Sequence, residues 1–218
     1  MIPEFADQKL LERALTHRSA LGTSRQRSDS NERLEFLGDA VLELATTEFL
    51  FAQYPKEPEG ILTSYRSSLV KTTTLAQVAK KLGIGEKIIM SKGEAASGGR
   101  ENEGLLADTF EAIVGALYLD QEYDAVTKFL HKELFVEFED ILREGRYRDA
   151  KSELQELVQA KGLAAPHYRV KSAVGPDHDK EFTVAVRING EEVALGTGKS
   201  KQQAQQRAAE KALESYSS

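Results

Sequence analysis

The sequence predicts an all-α N-terminal domain followed by a small α+β domain of order α-β-β-β-α. Three observations lead there. Apolar residues recur at helical spacing through about residue 143. After that the period changes, and Phe182–Ile188 alternates apolar and polar as a half-buried strand does. Asn189-Gly190 then stands between two strand-like runs as a two-residue hairpin signal.

In the first domain, helices are expected near 7–21, 31–53, 58–82, 102–119 and 122–143. Asp29, Ser30 and Asn31 offer N-caps before the second helix, and Pro55 stops it. Gly83 and Gly85 break the chain after the third, and Ser91–Arg100 reads as a loop from its Gly and Ser content. Arg143–Asp149, with Gly145, resembles a short hinge. The expected division is therefore 1–143, a linker at 144–148, and 149–218. In the second domain Ala150–Ala160 is helical, and Tyr168–Val174, Phe182–Ile188 and Val193–Gly198 are strands. A closing helix over Ser200–Ser215 takes Ser200 as its cap.

Bulk properties narrow the class. The chain has 218 residues, of which 40% are hydrophobic and 29% charged, enough for a core and a polar surface. No run approaches the ~18 consecutive apolar residues of a membrane span, and Met1–Phe5 shows no secretory pattern. The absence of cysteine excludes disulfides, a thiolate nucleophile and zinc–sulfur sites, and fits a cytoplasmic location. Net charge is −6. Residues 149–218 hold ten basic and ten acidic side chains, so the whole deficit, 19 basic against 25 acidic, lies in residues 1–148. Phosphate binding would have to come from a local basic patch or from bound metal.

Two runs carry the chemistry: Asn31-Glu32-Arg33-Leu34-Glu35-Phe36-Leu37-Gly38-Asp39-Ala40-Val41-Leu42 and Leu106-Ala107-Asp108-Thr109-Phe110-Glu111-Ala112. At about 100° per residue, Glu32, Glu35 and Asp39 fall within roughly 60° of one another on an otherwise apolar helix. Asp108 and Glu111 form a second such pair at i, i+3. Carboxylates converging on one interior repel each other and take up protons unless a cation intervenes. Oxygen-only ligands suit magnesium or manganese, so the pattern reads as a metal-dependent hydrolytic site. The small residues Ala107, Ala112, Gly115 and Ala116 would let the second acidic helix pack closely against the first. No histidine lies inside either run, and His17, His131 and His167 read as structural or exposed. The plain alternative for the acids is a solvated helix face.

The first run resembles the signature motif of the ribonuclease III family, and the second resembles that family's other acidic motif. Glu59-Gly60-Ile61-Leu62-Thr63, with Arg66, Leu69 and Val70, fits the same pattern. Residues 149–214 are similar to the double-stranded RNA-binding domain that follows the nuclease domain there. The matching pieces are Leu154-Gln155-Glu156, Gly175-Pro176-Asp177-His178, and Gly196-Thr197-Gly198-Lys199-Ser200-Lys201 with Ala204.

The resemblance implies that Glu35, Asp39, Asp108 and Glu111 bind Mg²⁺, with Mn²⁺ as a substitute. Asp39 and Glu111 would matter most to the chemistry, and Glu32 would act from the outer shell. Glu59 matches a further acidic position. Phe36 matches an aromatic knob inserted into a second subunit, which implies a homodimer. Gln155, Glu156, His178, Lys199, Ser200 and Lys201 would contact double-stranded RNA. The implied reaction is phosphodiester hydrolysis leaving 5′-phosphate and 3′-hydroxyl ends, in processing of ribosomal and other RNA. Gln202 stands where a second basic residue usually follows Lys201, so RNA binding with a shallow salt dependence is expected. Two rival readings are an inert RNA-binding scaffold and a di-iron helical bundle. Intact acids argue against the first, and the lack of Glu-x-x-His pairs argues against the second.

Overall fold

The computed structural model describes residues 1–21, 29–147, 149–176 and 180–216. The chain divides into two compact units, Met1–Tyr147 and Arg148–Ser218. The first is helical: α1 (Gln8–Ala14), α2 (Glu32–Gln53), α3 (Glu59–Val70), α4 (Thr72–Lys81), α5 (Ile84–Lys87), α6 (Lys92–Ala96), α7 (Glu103–Glu133) and α8 (Phe138–Arg143). The second runs α9 (Ala150–Ala160), β1 (His167–Val174), β2 (Glu181–Ile188), β3 (Glu191–Gly198) and α10 (Lys201–Tyr216). That is the expected α-β-β-β-α order. Among the described residues no helix is long and apolar enough to cross a membrane.

The long helices α2 and α7 form the centre of the first unit. Leu34, Leu42 and Leu50 of α2 are buried with Leu106, Phe110, Ile113 and Leu117 of α7. The two backbones touch where they cross. A Cβ placed on Gly38 would lie 1.8 Å from the Glu111 carbonyl oxygen, and one on Gly115 would lie 2.2 Å from that of Leu34. Only glycine fits at either position. Farther along, Phe49 stacks on Phe135 at 4.2 Å, and Phe138 meets Tyr54 and Tyr65 edge-on.

Several elements differ from expectation. The single helix expected over 58–82 is two, because Lys71 takes an extended conformation (φ −64°, ψ 147°) between α3 and α4. No glycine or proline marks that break. The first helix stops at Ala14, and a 3₁₀ turn follows at Arg18–Ala20. The expected loop at Ser91–Arg100 contains α6, capped by the Ser91 hydroxyl, which accepts from Glu94 N–H at 3.1 Å. The expected separation near residue 120 survives as a break inside α7, where Glu122 has φ 62° and ψ −173°. Residues 144–147 are tied to the first unit, with the Tyr147 ring edge-on to Tyr65 at 4.8 Å.

In the second unit the antiparallel sheet has the order β1-β2-β3. The hairpin turn is Asn189 (φ 49°) and Gly190 (φ 85°), with Ile188 opposite Glu191. Both positive φ values are what a type I′ turn requires. Leu154, Val158, Val186, Ile188, Ala208 and Ala212 make the core. Gly196 lets α10 lie against β3, since a Cβ there would sit 2.2 Å from Ala208 N.

Candidate active site

The crossing at Gly38 and Gly115 explains why the two acidic stripes meet. Glu35 lies just under one turn before Gly38, and Glu111 about one turn before Gly115, so both carboxylates flank the contact. Glu32 and Glu35 occupy the first turn of α2, where the positive helix end favours anions. That turn starts at Asn31, whose carbonyl accepts from Leu34 and Glu35 N–H, both at 2.8 Å. Asn31 itself makes no side-chain cap. The α7 start is capped by Asn102, which accepts from Leu105 N–H at 3.1 Å.

Glu35, Asp108 and Glu111 each offer a carboxylate oxygen, and these lie within 4.8 Å of one another. Asp39 is exposed and stands outside that triple, yet its charge acts on both Glu35 and Glu111. Burial pushes the Glu111 carboxyl up to about 8, reinforced by Asp39, then Asp108, then Glu35. Burial likewise raises Glu35, helped by Asp108, Glu32 and Asp39. Asp108 is raised by burial and pulled back by His17. This is the electrostatic state expected of an anionic cage that favours a cation: part of the negative charge is held in check by protons. The 4.8 Å limit is on the scale of opposite ligands of one hard divalent ion, about 4 Å apart.

Glu32, Glu35 and Asp108 open onto a cleft of about 500 Å³ whose other lining residues are His17, Arg18, Asn31 and Leu105. Glu32 pairs with Arg18 at 3.6 Å and accepts from the Ser30 hydroxyl at 3.2 Å. His17, expected to be structural or exposed, is half-buried on the cleft wall. Its placement comes from a tertiary staple that no local motif announces. His131 packs edge-on against the stacked Phe49 and Phe135 rings, and His167 is exposed at the start of β1. Glu59 heads α3, exposed, and accepts from the Thr63 hydroxyl at 3.0 Å; it is outside the acid triple. Phe36 is 82% exposed on α2, and a core role is thereby excluded.

In the second unit Gln155, Glu156, Lys199, Ser200 and Lys201 are all exposed. The Ser200 hydroxyl accepts from Gln203 N–H at 3.1 Å, and the Gln203 side chain accepts from Lys199 N–H at 2.8 Å. Ser200 therefore opens α10 as expected. His178 lies outside the described residues.

Residues 7–138 match the family described as Ribonuclease-III-like, and residues 150–216 match the Double-stranded RNA binding motif. The chain belongs to the ribonuclease III family. A Ribonuclease 3 of Geobacillus kaustophilus (strain HTA426) is 46% identical over 214 residues, covering 96% of this chain and 85% of that protein. The solved nuclease domain of ribonuclease III from Campylobacter jejuni is 41% identical, with a TM-score of 0.55 over 59% of this chain and 87% of that one. A Dicer from Pichia stipitis matches at 29% identity and TM-score 0.50, over 97% of this chain and 96% of that one. As a ribonuclease III, with the nuclease half and the duplex-binding half both present, the chain is an endoribonuclease specific for double-stranded RNA. The family uses a divalent metal, and the acid cluster is the group of residues suited to hold it.

Proposed function

We propose that Glu35, Asp39, Asp108 and Glu111 hold Mg²⁺, with Mn²⁺ able to replace it, at the point where duplex RNA is cut. The observation that carries this is the convergence of Glu35, Asp108 and Glu111 within 4.8 Å, with Glu111 pushed up to about 8. When bound, the cation lowers the pKa of water and offsets the charge that builds on the phosphate. In the hydrolysis a water oxygen adds to phosphorus, the P–O3′ bond breaks, and the departing 3′ oxygen takes up a proton. The products are 5′-phosphate and 3′-hydroxyl ends. Asp39 and Glu111 contribute most, and Glu32, held by Arg18 and Ser30, orients water or RNA from the cleft wall.

The working form is a homodimer built across Phe36. Support comes from three apolar side chains on one side of α2: Phe36 at 82% exposure, Leu44 at 53% and Phe51 at 73%. A related nuclease domain, that of C. jejuni, has a region described as involved in dimer formation. Duplex RNA is gripped by Gln155, Glu156, Lys199, Ser200 and Lys201 through minor-groove and phosphate contacts. The enzyme acts in the cytoplasm on ribosomal and other precursor RNA. Incubation with a long RNA duplex and Mg²⁺ tests the site. Cleavage lost on chelation and in Glu111→Gln, with duplex binding retained, is the expected result. Undiminished cleavage by Glu111→Gln would refute it.

A further inference from the structure

A phosphodiester entering the cleft meets a wall dominated by carboxylates, so the donors lining the same space decide where it rests. Arg18 is engaged with Glu32 at 3.6 Å. His17 is placed differently. Its chain segment is stapled to residues 89–91: His17 N–H donates to Ile89 O at 2.9 Å, Ile89 N–H donates to Leu15 O at 2.8 Å, and Thr16 bridges Ile89. The ring is braced as well. Nδ1 accepts from Ser19 N–H at 3.3 Å and lies 2.8 Å from the Ser19 hydroxyl. That hydroxyl in turn accepts from Ser91 N–H at 3.0 Å, so its own proton points to Nδ1. These donors assign the neutral tautomer with its proton on Nε2. Among the described residues nothing hydrogen-bonds to Nε2, while His17 lines the cleft beside Glu35 and Asp108.

We propose that His17 is a substrate-contacting residue of this nuclease, donating from Nε2–H to a non-bridging oxygen of one phosphate of the cut RNA strand. The Ser19–Ser91 brace engages Nδ1 and holds the ring on the cleft wall, leaving Nε2–H as its donor and lowering the rotamer cost of making the contact. The proposal rests on the acid cluster being the hydrolytic site.

Two substitutions separate substrate contact from bracing. In His17→Asn the short amide keeps an acceptor for Ser19 N–H, as asparagine does at helix starts, but nothing reaches the Nε2 position. In His17→Gln the amide N–H₂ reaches that position and the brace is lost. Both are compared with wild type and Glu111→Gln for Tm, for kcat and KM on a duplex, and on duplexes bearing single phosphorothioates around the cut. The expected result is an intact His17→Asn with kcat/KM reduced roughly ten- to a hundredfold, the range for a hydrogen bond to a charged group. His17→Gln recovers part of that loss. Wild type is slowed by sulfur at one particular phosphate, and His17→Asn is indifferent to it.

His17→Asn cleaving like wild type overturns the proposal. So does loss of activity in step with loss of Tm, or failure to fold, with no phosphorothioate effect that depends on His17 in His17→Gln. If Glu111→Gln stays active, the hydrolytic-site reading itself fails, an outcome distinct from any of these.

Discussion

Binding of a divalent cation to the acid cluster should release a proton, and the amount can be worked out from Glu111. With its carboxyl at about 8, Glu111 is protonated in roughly nine of ten molecules at pH 7. A cation needs the carboxylate, so about 0.9 proton leaves Glu111 for each ion bound at pH 7. The same competition weakens apparent affinity by a factor of about 1 + 10^(8 − pH), or about tenfold at pH 7 and about a hundredfold at pH 6, relative to pH 9. Calorimetric titration of Mg²⁺ in two buffers of different ionisation heat measures the proton directly. The apparent heats should differ by about 0.9 times the difference in buffer heats. In Glu111→Gln the difference should collapse, and the affinity should flatten with pH. Equal heats in both buffers for the wild type at pH 7 would refute the reasoning, because Glu111 would then be ionised before the ion arrives.

Other outcomes follow from the same geometry. Glu111 holds its proton more tightly folded than unfolded, so its stabilising share is complete below about 4.5 and is lost as pH rises through about 8. Thermal melts without metal should therefore show Glu111→Gln gaining on wild type as pH goes from 5 to 9. Gly38→Ala would push a methyl to 1.8 Å from the Glu111 carbonyl, forcing α2 and α7 apart. A loss of about 1–3 kcal/mol or more is expected in chemical denaturation, together with weakened metal binding. Glu122 holds φ 62° and ψ −173°, a region essentially reserved for glycine, so Glu122→Gly should stabilise by about 1 kcal/mol or more in the same assay. Gln202→Lys adds a phosphate contact at the start of α10 and should steepen the salt dependence of duplex binding by about one logarithmic unit per decade of salt.

Much of this was legible because it depends on short-range chemistry. Acids spaced i, i+3 and i+7 share a helix face whatever the surroundings, and Asn189-Gly190 selects its turn by tolerating positive φ. Ser200 caps α10 for the same local reason. What escaped depends on partners far along the chain. Lys71 breaks a helix without glycine or proline, and Ser91 starts one inside a glycine-rich stretch. His17 reaches the cleft only because residues 15–19 pair with residues 89–91. Gly38 stood in the first acidic run without an assigned purpose; the matching role of Gly115 was visible from its small neighbours. The exposed position of Asp39, beside a tighter triple of acids, follows from the crossing and not from spacing along α2.

The contact of main chain on main chain at Gly38 and Gly115 makes that point a fulcrum. No rotamer change can lengthen it, so altered packing elsewhere tilts α2 against α7 without separating them there. A 5° tilt would displace Phe51, about 20 Å along α2, by about 1.7 Å, while Glu35, just under one turn from the pivot, would shift by about 0.4 Å. The far end of α2 is thus free to adapt to whatever it docks against while the acids hold their spacing.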